Sequence, residues 1–314
     1  MPSGGPGQPP IRSTGSKSLF QPGLYAELEL VPWAGARLVP GLRADHDSEI
    51  EHWDLAPRIN ARQDLRSSFP RTTLKGGVGL YYQPPAPLDT AQGLGQSGLT
   101  SNRSTHSDIG FEQEFTRQVE LSLDVFYKHF DHLVVPGAQN AGTGTAYGAE
   151  WLLRYKPDGR FFGWLSYTLS RSERRDVPGE ASTRFQYDQT HVLALVANYR
   201  LGHGWQLGGR FRVTSGDLYT PLGTGAYNAS TGSQLGVSAF PPNGARLPAF
   251  NQLDFRLEKT RVFRDLTSTV FLDVQNVYGA NSPLGVSYNY NYTRSAYASG
   301  LPILPILGIR VEVP

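Results

Sequence analysis

Cysteine is absent from the 314 residues, and no run of apolar residues reaches the length of a membrane-spanning helix. The first absence excludes disulfides and thiolate metal sites within this chain. Lysine and arginine number 29 against 27 acidic residues, so no excess of positive charge marks a nucleic-acid-binding surface and we expect no nucleic-acid partner. The opening residues lack the apolar core of a signal peptide, so any export signal is expected upstream of Met1.

Glycine, proline and aromatic residues are plentiful, with 35 Gly, 23 Pro, 16 Tyr and 15 Phe. Aromatic side chains suit pleated sheets, while glycine and proline interrupt sheets at turns, so this composition predicts many strands and few helices. Residues 1–23 are rich in Gly, Pro and Ser and are predicted to form a disordered leader or a surface loop. Residues 24–314 are predicted to form one β domain.

The stretch RFFGWLSYTLSRSERR, residues 160–175, alternates apolar residues with residues that bear hydroxyl groups. Leu165, Tyr167 and Leu169 are separated by Ser166 and Thr168. Because neighbouring side chains of a strand point to opposite faces, the segment has one apolar face and one hydrogen-bonding face. A half-buried strand of a soluble protein has the same pattern. The rest of the chain must therefore decide which face lies outside.

Similar alternation recurs in thirteen segments, at 24–31, 35–44, 51–64, 71–82, 106–115, 118–129, 146–156, 160–171, 186–200, 204–215, 250–261, 266–277 and 302–313. Short connections alternate strictly with longer ones, which are predicted at 45–50, 83–105, 131–145, 172–185, 215–249 and 278–301. Sorting of connections by length is typical of outer-membrane β-barrels, which have short periplasmic turns and long extracellular loops.

A barrel of this kind turns its apolar faces to lipid and its polar faces to a water-filled lumen. Outer-membrane lipid and lipopolysaccharide are therefore expected partners. The charges of the lumen face alternate in sign, which predicts mutual pairing among Glu120, Asp124, Lys128, Asp254, Arg256 and Glu258. Aromatic residues beside the short turns are predicted to form a girdle at the lipid interface, namely Trp33, Phe69, Phe161, Trp164, Trp205 and Phe263.

Eight segments together resemble the C-terminal barrel of TonB-dependent outer-membrane receptors, of the kind found in myxobacteria and their relatives. They are LAPRINARQDL, TTLKGGVGLYYQPP, GFEQEF, AYGAEWLLRYKP, GWLSYTLSRSER, YDQTHVLALVANYRL, FLDVQNVYG and GLPILPILGIRVEV. The resemblance implies a twenty-two-stranded barrel with an N-terminal plug, which imports siderophores, vitamins, sugars or peptide-like ligands with energy from TonB. The expected fold class is all-β, an antiparallel transmembrane β-barrel, partial, with about 13–14 of the 22 strands.

Three departures from the family pattern lead us to expect a C-terminal piece of a longer gene product. No plug domain or TonB box is recognised, so TonB would be reached only through a plug missing from this chain. Thirteen strands is an odd number, whereas a whole barrel of this type begins and ends in the periplasm. The chain ends in Val313 and Pro314 instead of an aromatic residue. The expected location is the bacterial outer membrane.

Tyrosines are concentrated in the last two long loops. The tract SYNYNYTRSAY contains Tyr288, Tyr290 and Tyr292, and the preceding long loop contains Tyr219 and Tyr227. These five side chains are the candidate contacts for a small-molecule ligand on the extracellular side, because tyrosine rings stack on aromatic or sugar groups. The alternative is that Tyr288, Tyr290 and Tyr292 only extend a hairpin above the membrane.

A second candidate site is the acidic segment RADHDSEIEHWD, which could hold a metal ion. Its spacing matches no zinc signature, so a solvated loop is the preferred interpretation and no metal site is predicted. No nucleotide-binding loop or nucleophile elbow is present, so neither an enzyme activity nor a cofactor is predicted. Two other functions stay open: a small passive porin of about fourteen strands, if SYNYNYTRSAY forms a strand, and a secreted all-β binding module.

Overall fold

Thirteen antiparallel strands dominate the computed structural model, which describes residues 18–90, 98–135, 139–238 and 241–313. Each strand pairs with its neighbours in sequence order. The strands are β1 (Gly23–Glu27), β2 (Ala36–Asp47), β3 (His52–Arg66), β4 (Thr72–Gln83), β5 (Asn102–Glu114), β6 (Val119–Val135), β7 (Gln139–Tyr155), β8 (Phe161–Arg175), β9 (His191–Gly202), β10 (Trp205–Thr214), β11 (Phe250–Val262), β12 (Thr267–Gln275) and β13 (Leu304–Glu312).

The remaining elements are short and lie in the long loops. Thr183–Arg184 pairs with β8. Three two-residue ladders join Leu218–Tyr219 to Ala245–Arg246, Leu222–Gly223 to Val237–Ser238, and Tyr227–Asn228 to Ser233–Gln234. One helical turn is found at Pro87–Thr90. None of the helical structure described is long or apolar enough to span a bilayer.

All thirteen predicted strands are confirmed, but several extend further than predicted toward the long-loop end. β6 and β7 reach Val135 and Gln139, so most of the loop predicted at 131–145 is an extended hairpin. The sequence GAQNAGTGTA has the composition of a loop, which explains the error. Gly142 lets the two strands of the hairpin approach each other, because a side chain there would collide with Val135 and Leu133 on the opposite strand.

The connections at one end of the sheet are all short, as predicted: 28–35, 67–71, 115–118, 156–160, 203–204 and 263–266. The other end carries the four long connections, 84–101, 176–190, 215–249 and 276–303. The connections predicted there at 45–50 and 131–145 are shorter than predicted, since only four residues separate β2 from β3 and only three separate β6 from β7. The tightest connection is the two-residue turn between β9 and β10, where His203 and Gly204 have φ values of 52° and 79°. Two consecutive positive φ values are typical of a type I′ turn, whose twist matches that of the flanking strands.

Apolar side chains cover one face of the sheet and are exposed. Ile109 is 57% exposed and Leu307 is 76% exposed, although a soluble sandwich would bury such residues. Buried apolar residues are few in the described ranges: Ala36, Ala56, Leu99, Val135 and Leu247. The sheet therefore has no dry core against which to pack, and its apolar face is suited to contact with hydrocarbon. This organisation does not fit a secreted binding module.

The predicted aromatic girdle is correct in part. Trp33, Phe69, Trp205 and Phe263 are exposed beside the short turns, and Phe161 is half-buried. Trp164 is different, because it pairs with Arg154 in β7 and therefore shares the face of the hydroxyl-bearing residues of β8. The sequence already indicates this, because Trp164 and Ser166 are two residues apart and side chains at that spacing in a strand point to the same face.

The sheet is open at both edges among the described residues. β1 pairs with β2 alone, and β13 pairs with β12 alone. The tract SYNYNYTRSAY does not supply a fourteenth barrel strand. It folds as a separate hairpin in which Gly285–Tyr288 pairs with Ser295–Ala298. The predicted leader 1–23 falls largely on residues 1–17, which lie outside the described ranges.

Candidate functional site

Ion pairs line the inward face of β3 to β6. Lys75 Nζ lies 3.2 Å from Glu112 and 3.0 Å from Asp124, and Arg62 reaches Glu112 at 2.9 Å. Gly110 lies beneath this group, where any side chain would collide with Asp124 and Lys75. A side chain at this position would therefore displace the charged groups of Asp124 and Lys75 from their present positions.

Mutual pairing among the six predicted lumen charges is confirmed only for Arg256 and Glu258, while three of the other carboxylates bind basic residues that were not in the predicted set. Glu120 binds Lys156 at 2.8 Å, Asp124 binds Lys75, Asp254 binds Arg210 at 2.7 Å, and Arg256 binds Glu258 at 3.0 Å. Lys128 instead lies 5.4 Å from the centroid of the Phe126 ring. Because the charges compensate one another, the inward face is polar without a strong field of either sign.

The acidic segment folds as the tip of the β2–β3 hairpin, where its carboxylates hold the backbone. Asp47 accepts hydrogen bonds from the amides of Glu49 and Ile50. Asp54 accepts a hydrogen bond of 2.5 Å from the Ser101 hydroxyl. No group of three or more ligands suitable for a metal ion is found within the described ranges. These contacts explain the acidic residues as turn and loop supports.

Four of the five predicted tyrosines lie where the last two long loops contact each other, namely Tyr219, Tyr288, Tyr290 and Tyr292. The amide of Leu222 donates a hydrogen bond to the Tyr288 hydroxyl at 3.1 Å, and Tyr290 donates to the carbonyl of Gly232 at 2.9 Å. The Tyr288 and Tyr292 ring centroids are 5.7 Å apart. Burial, together with the proximity of Tyr297 and Tyr288, raises the pKa of Tyr219 above its ordinary value.

Tyr227, the fifth predicted tyrosine, is 57% exposed on its two-residue strand. The SYNYNYTRSAY tract forms a hairpin, as the alternative interpretation expected, and its tyrosines tie that hairpin to the preceding loop. The ring of Tyr290 is 66% exposed. Contact of these tyrosines with a ligand stays a prediction.

Asp188 is the centre of a hydrogen-bonded group that joins two long loops to the sheet. Its carboxylate accepts from the Ser172 amide at 2.7 Å, from Arg184 at 3.0 Å and from Arg246 at 2.6 Å. Arg246 also donates to the carbonyl of Gly216 at 2.7 Å. Burial alone would raise the pKa of Asp188, but these donors outweigh burial and hold its pKa below the ordinary value.

A recess at the long-loop end, on the inward face, was not predicted from the sequence. Tyr81, Ser104, His106 and Phe130 line it, and the segment 84–89 lies over one side. These residues come from three strands, and only the cross-strand register places them together. Their inward positions could have been found from the alternation of β4, β5 and β6, but their proximity could not.

Comparison with known proteins gives a family and a fold. Residues 2–277 match the family described as TonB dependent receptor-like, beta-barrel, and no curated protein matches. Similar solved structures include the ferric-catecholate import receptor Fiu of Escherichia coli K12, with 16% identity, a TM-score of 0.66, and coverage of 93% of this chain and 44% of that one. The ferric enterobactin receptor PfeA of Pseudomonas aeruginosa is similar with 14% identity and a TM-score of 0.65, and the match covers 98% of this chain and 46% of that one.

The pyoverdine receptor FpvA of Pseudomonas aeruginosa PAO1, bound to pyoverdine, is also similar, with 15% identity and a TM-score of 0.64 over 93% of this chain and 42% of that one. The chain thus spans less than half the length of each of these receptors. Three findings indicate part of a membrane barrel: the family match, the open antiparallel sheet and the apolar face of that sheet. The chain belongs to the TonB-dependent receptor β-barrel family and forms part of a transmembrane barrel of the bacterial outer membrane.

Proposed function

We propose that this chain is part of the wall of an outer-membrane receptor that imports a scarce ligand by TonB-dependent transport. The observation that carries the proposal is the two-faced sheet, whose apolar residues face outward and whose paired charges face inward. Such a wall separates hydrocarbon from a wet lumen. Family membership over residues 2–277 supports transport as the role of that lumen.

In the proposed receptor the long loops meet the ligand outside the cell, and the wall surrounds a plug domain that contacts TonB. Lipid and lipopolysaccharide contact the apolar face. The paired residues Lys75, Glu112 and Asp124 supply hydrogen-bonding partners on the lumen side. TonB coupling belongs to the plug in this proposal and not to the residues of this sheet.

The proposed ligand is a ferric siderophore, chosen from four classes that also include vitamins, sugars and peptide-like molecules. Three of the similar structures support this choice, since their names refer to a ferric catecholate, ferric enterobactin and pyoverdine. The exposed tyrosine rings of the last two loops suit such a ligand because their flat faces can stack on its aromatic or amide groups.

Uptake measurements test the proposed function. The gene is deleted in the source bacterium, and uptake of ferric siderophores, cobalamin, maltodextrins and short peptides is compared with that of the parent strain. We expect loss of uptake of one class, recovery when the gene is restored, and abolition by a protonophore. Uptake that survives the protonophore would identify a passive pore, and unchanged uptake of every compound would reject the proposal.

The tyrosine contacts are tested separately. Replacing Tyr288, Tyr290 and Tyr292 together by serine is expected to weaken binding of the imported ligand to whole cells by about tenfold or more, because stacking surface is lost. Tyr187→Ser is the matched control, since Tyr187 is 74% exposed in a different loop. Equal affinity of the triple variant and the control would remove these tyrosines from the site.

A further inference from the structure

The recess on the inward face has the size of a small-molecule site. Its volume is about 940 Å³, and pockets that hold small ligands range over roughly 300–1,000 Å³. It lies between the long-loop ends of β4 to β8 and the segment 84–89. None of the five predicted tyrosines lines it, so it is separate from the tyrosine contacts of the last two loops.

Aromatic rings form one wall of the recess. The Tyr81 and His106 rings are stacked, with centroids 4.3 Å apart and an angle of 28° between their planes. Phe130 meets His106 edge to face at 6.4 Å. Tyr81 is 41% exposed, so the stack ends in an uncovered ring. A planar group could extend the stack by one more layer, which is a favoured aromatic geometry.

An unpaired hydroxyl lies in the same recess. Ser104 is 8% exposed and its Oγ has no hydrogen-bond partner within the described ranges. Ser104 pairs with Tyr81 across β4 and β5. A buried hydroxyl without a partner is unfavourable, and native structures usually satisfy such groups. A polar group that enters the recess beside the ring of Tyr81 would satisfy it.

The two arginines that line the recess are already paired with protein groups. Arg103 is held by Asp131 at 2.7 Å and 3.1 Å. Arg174 donates to Asp176 at 2.5 Å and to the carbonyl of Val134 at 2.6 Å. Both lining arginines are thus engaged by protein groups. An uncharged ligand avoids competing with these pairs.

We propose that the recess binds an imported ligand through a planar, uncharged hydroxyaryl ring. The ring stacks on the Tyr81–His106 pair, and its hydroxyl exchanges a hydrogen bond with Ser104 Oγ. This inference rests on the proposed function, because it assigns a chemical group of the ligand to a part of the receptor wall. It adds a second contact region, about the outer ends of β4, β5 and β6.

Phenol and cyclohexanol provide a direct test, because they share size and hydroxyl but only phenol is planar and aromatic. The chain, refolded in detergent micelles, is titrated with each compound while the methyl signals of Leu133 and Val134, which line the recess, are followed by NMR. We expect phenol to bind at least about fivefold more tightly than cyclohexanol. Equal dissociation constants would overturn the proposal.

Three variants localise the binding. Tyr81→Ala is expected to weaken phenol binding about five- to tenfold, and Ser104→Ala about threefold without lowering the melting temperature, since it removes an unsatisfied group. Tyr127→Ala is the control, because Tyr127 is exposed on the outward face of β6. Unchanged phenol affinity in both Tyr81→Ala and Ser104→Ala would overturn the proposal even if all variants fold.

Methyl glucoside separates ring chemistry from sugar binding. Tighter binding of the glucoside than of phenol at Leu133 and Val134 would overturn the hydroxyaryl assignment. Failure here is distinguishable from failure of the proposed function. If the deletion strain loses uptake of a ligand while phenol does not bind the recess, the receptor function stands and the ring assignment falls.

Discussion

At the scale of single residues, Asp188 shows how one buried carboxylate can hold two loops. It is 2% exposed and binds Arg184, from its own loop, and Arg246, from the loop 215–249. A buried charge is tolerated when several donors surround it, and removing the charge leaves those donors unsatisfied. Asp188 is therefore expected to hold the loop 215–249 against the end of β8.

Asp188→Asn is predicted to release the loop 215–249. Loss of the charge should cost about 2 kcal/mol, or roughly thirtyfold in the population of the detached loop. Limited proteolysis in micelles measures this as faster cleavage within the loop. Asp176→Asn is the matched control, since Asp176 binds Arg174 at the protein surface. Equal cleavage rates in the two variants would contradict the prediction.

Acid should release the same loop at a defined pH. The pKa of Asp188 is lowered in the folded protein, so its stabilising effect is complete above the unfolded pKa, about 3.9, and declines as pH falls further. Protection of the loop from an acid-active protease should thus be constant from pH 7 to 5 and fall below about pH 4. Asp188→Asn should not show this step. A loss of protection centred near pH 6 would point to another group.

At the scale of strands, the alternation of β8 assigns Leu165 and Ser166 to opposite surroundings. Leu165 pairs with Leu195 and Leu153 on the apolar face, and Ser166 pairs with Leu152 on the lumen face. A charged side chain should therefore destabilise the protein at position 165 much more than at position 166.

Leu165→Arg is predicted to cost about 2–4 kcal/mol of folding free energy in lipid vesicles, because the charge faces hydrocarbon. Ser166→Arg should cost less than about 1 kcal/mol, since the side chain reaches water in the lumen. Guanidinium titration of folding in vesicles measures both. The reverse order would show that the faces of the sheet had been assigned wrongly.

Lys75 is predicted to stabilise the inward ion pairs of β4, β5 and β6. Lys75→Gln leaves Glu112 and Asp124 without their shared cation, and we expect a loss of about 1–2 kcal/mol. Lys128→Gln is the comparison, because Lys128 contacts the Phe126 ring. The same vesicle titration distinguishes them, and an equal effect of both changes would argue against the shared role.

The strands could be predicted because their signal is local. Alternation over ten residues is visible without knowing the partner strand, as in β8 and β11. Three features could not be predicted in this way. The extended β6–β7 hairpin is hidden by Gly142 and Gly144, whose composition favours a loop. The recess depends on cross-strand register, which brings Tyr81 beside His106. The Asp188 group depends on where Arg246 folds back from a long loop.

At the scale of the whole molecule, the direction of the two edge strands matters. With thirteen strands in antiparallel order, β1 and β13 both run from the long-loop end to the short-turn end. They cannot join each other as antiparallel neighbours. Unpaired backbone groups at a sheet edge are costly in hydrocarbon. Closure of a regular barrel thus needs an odd number of further strands between the edges.

The chain refolded alone is therefore predicted to form no stable pore in planar bilayers. Single-channel recording should show no uniform open level, because a sheet of parallel edges does not close into an antiparallel cylinder. A long-lived, uniform conductance would contradict this prediction and favour the small porin. A closed porin from another source is the control for bilayer quality.

β6 and β7 are longer than is needed to cross the apolar part of a membrane. Each strand has 17 residues, which at about 3.3 Å per residue and a tilt near 40° rises roughly 40 Å, well above an apolar band about 25 Å tall. In the proposed receptor this hairpin would extend past the membrane surface into the layer of lipopolysaccharide sugars. An antibody or a bacteriophage tail fibre would then meet the hairpin before it reached the lipid.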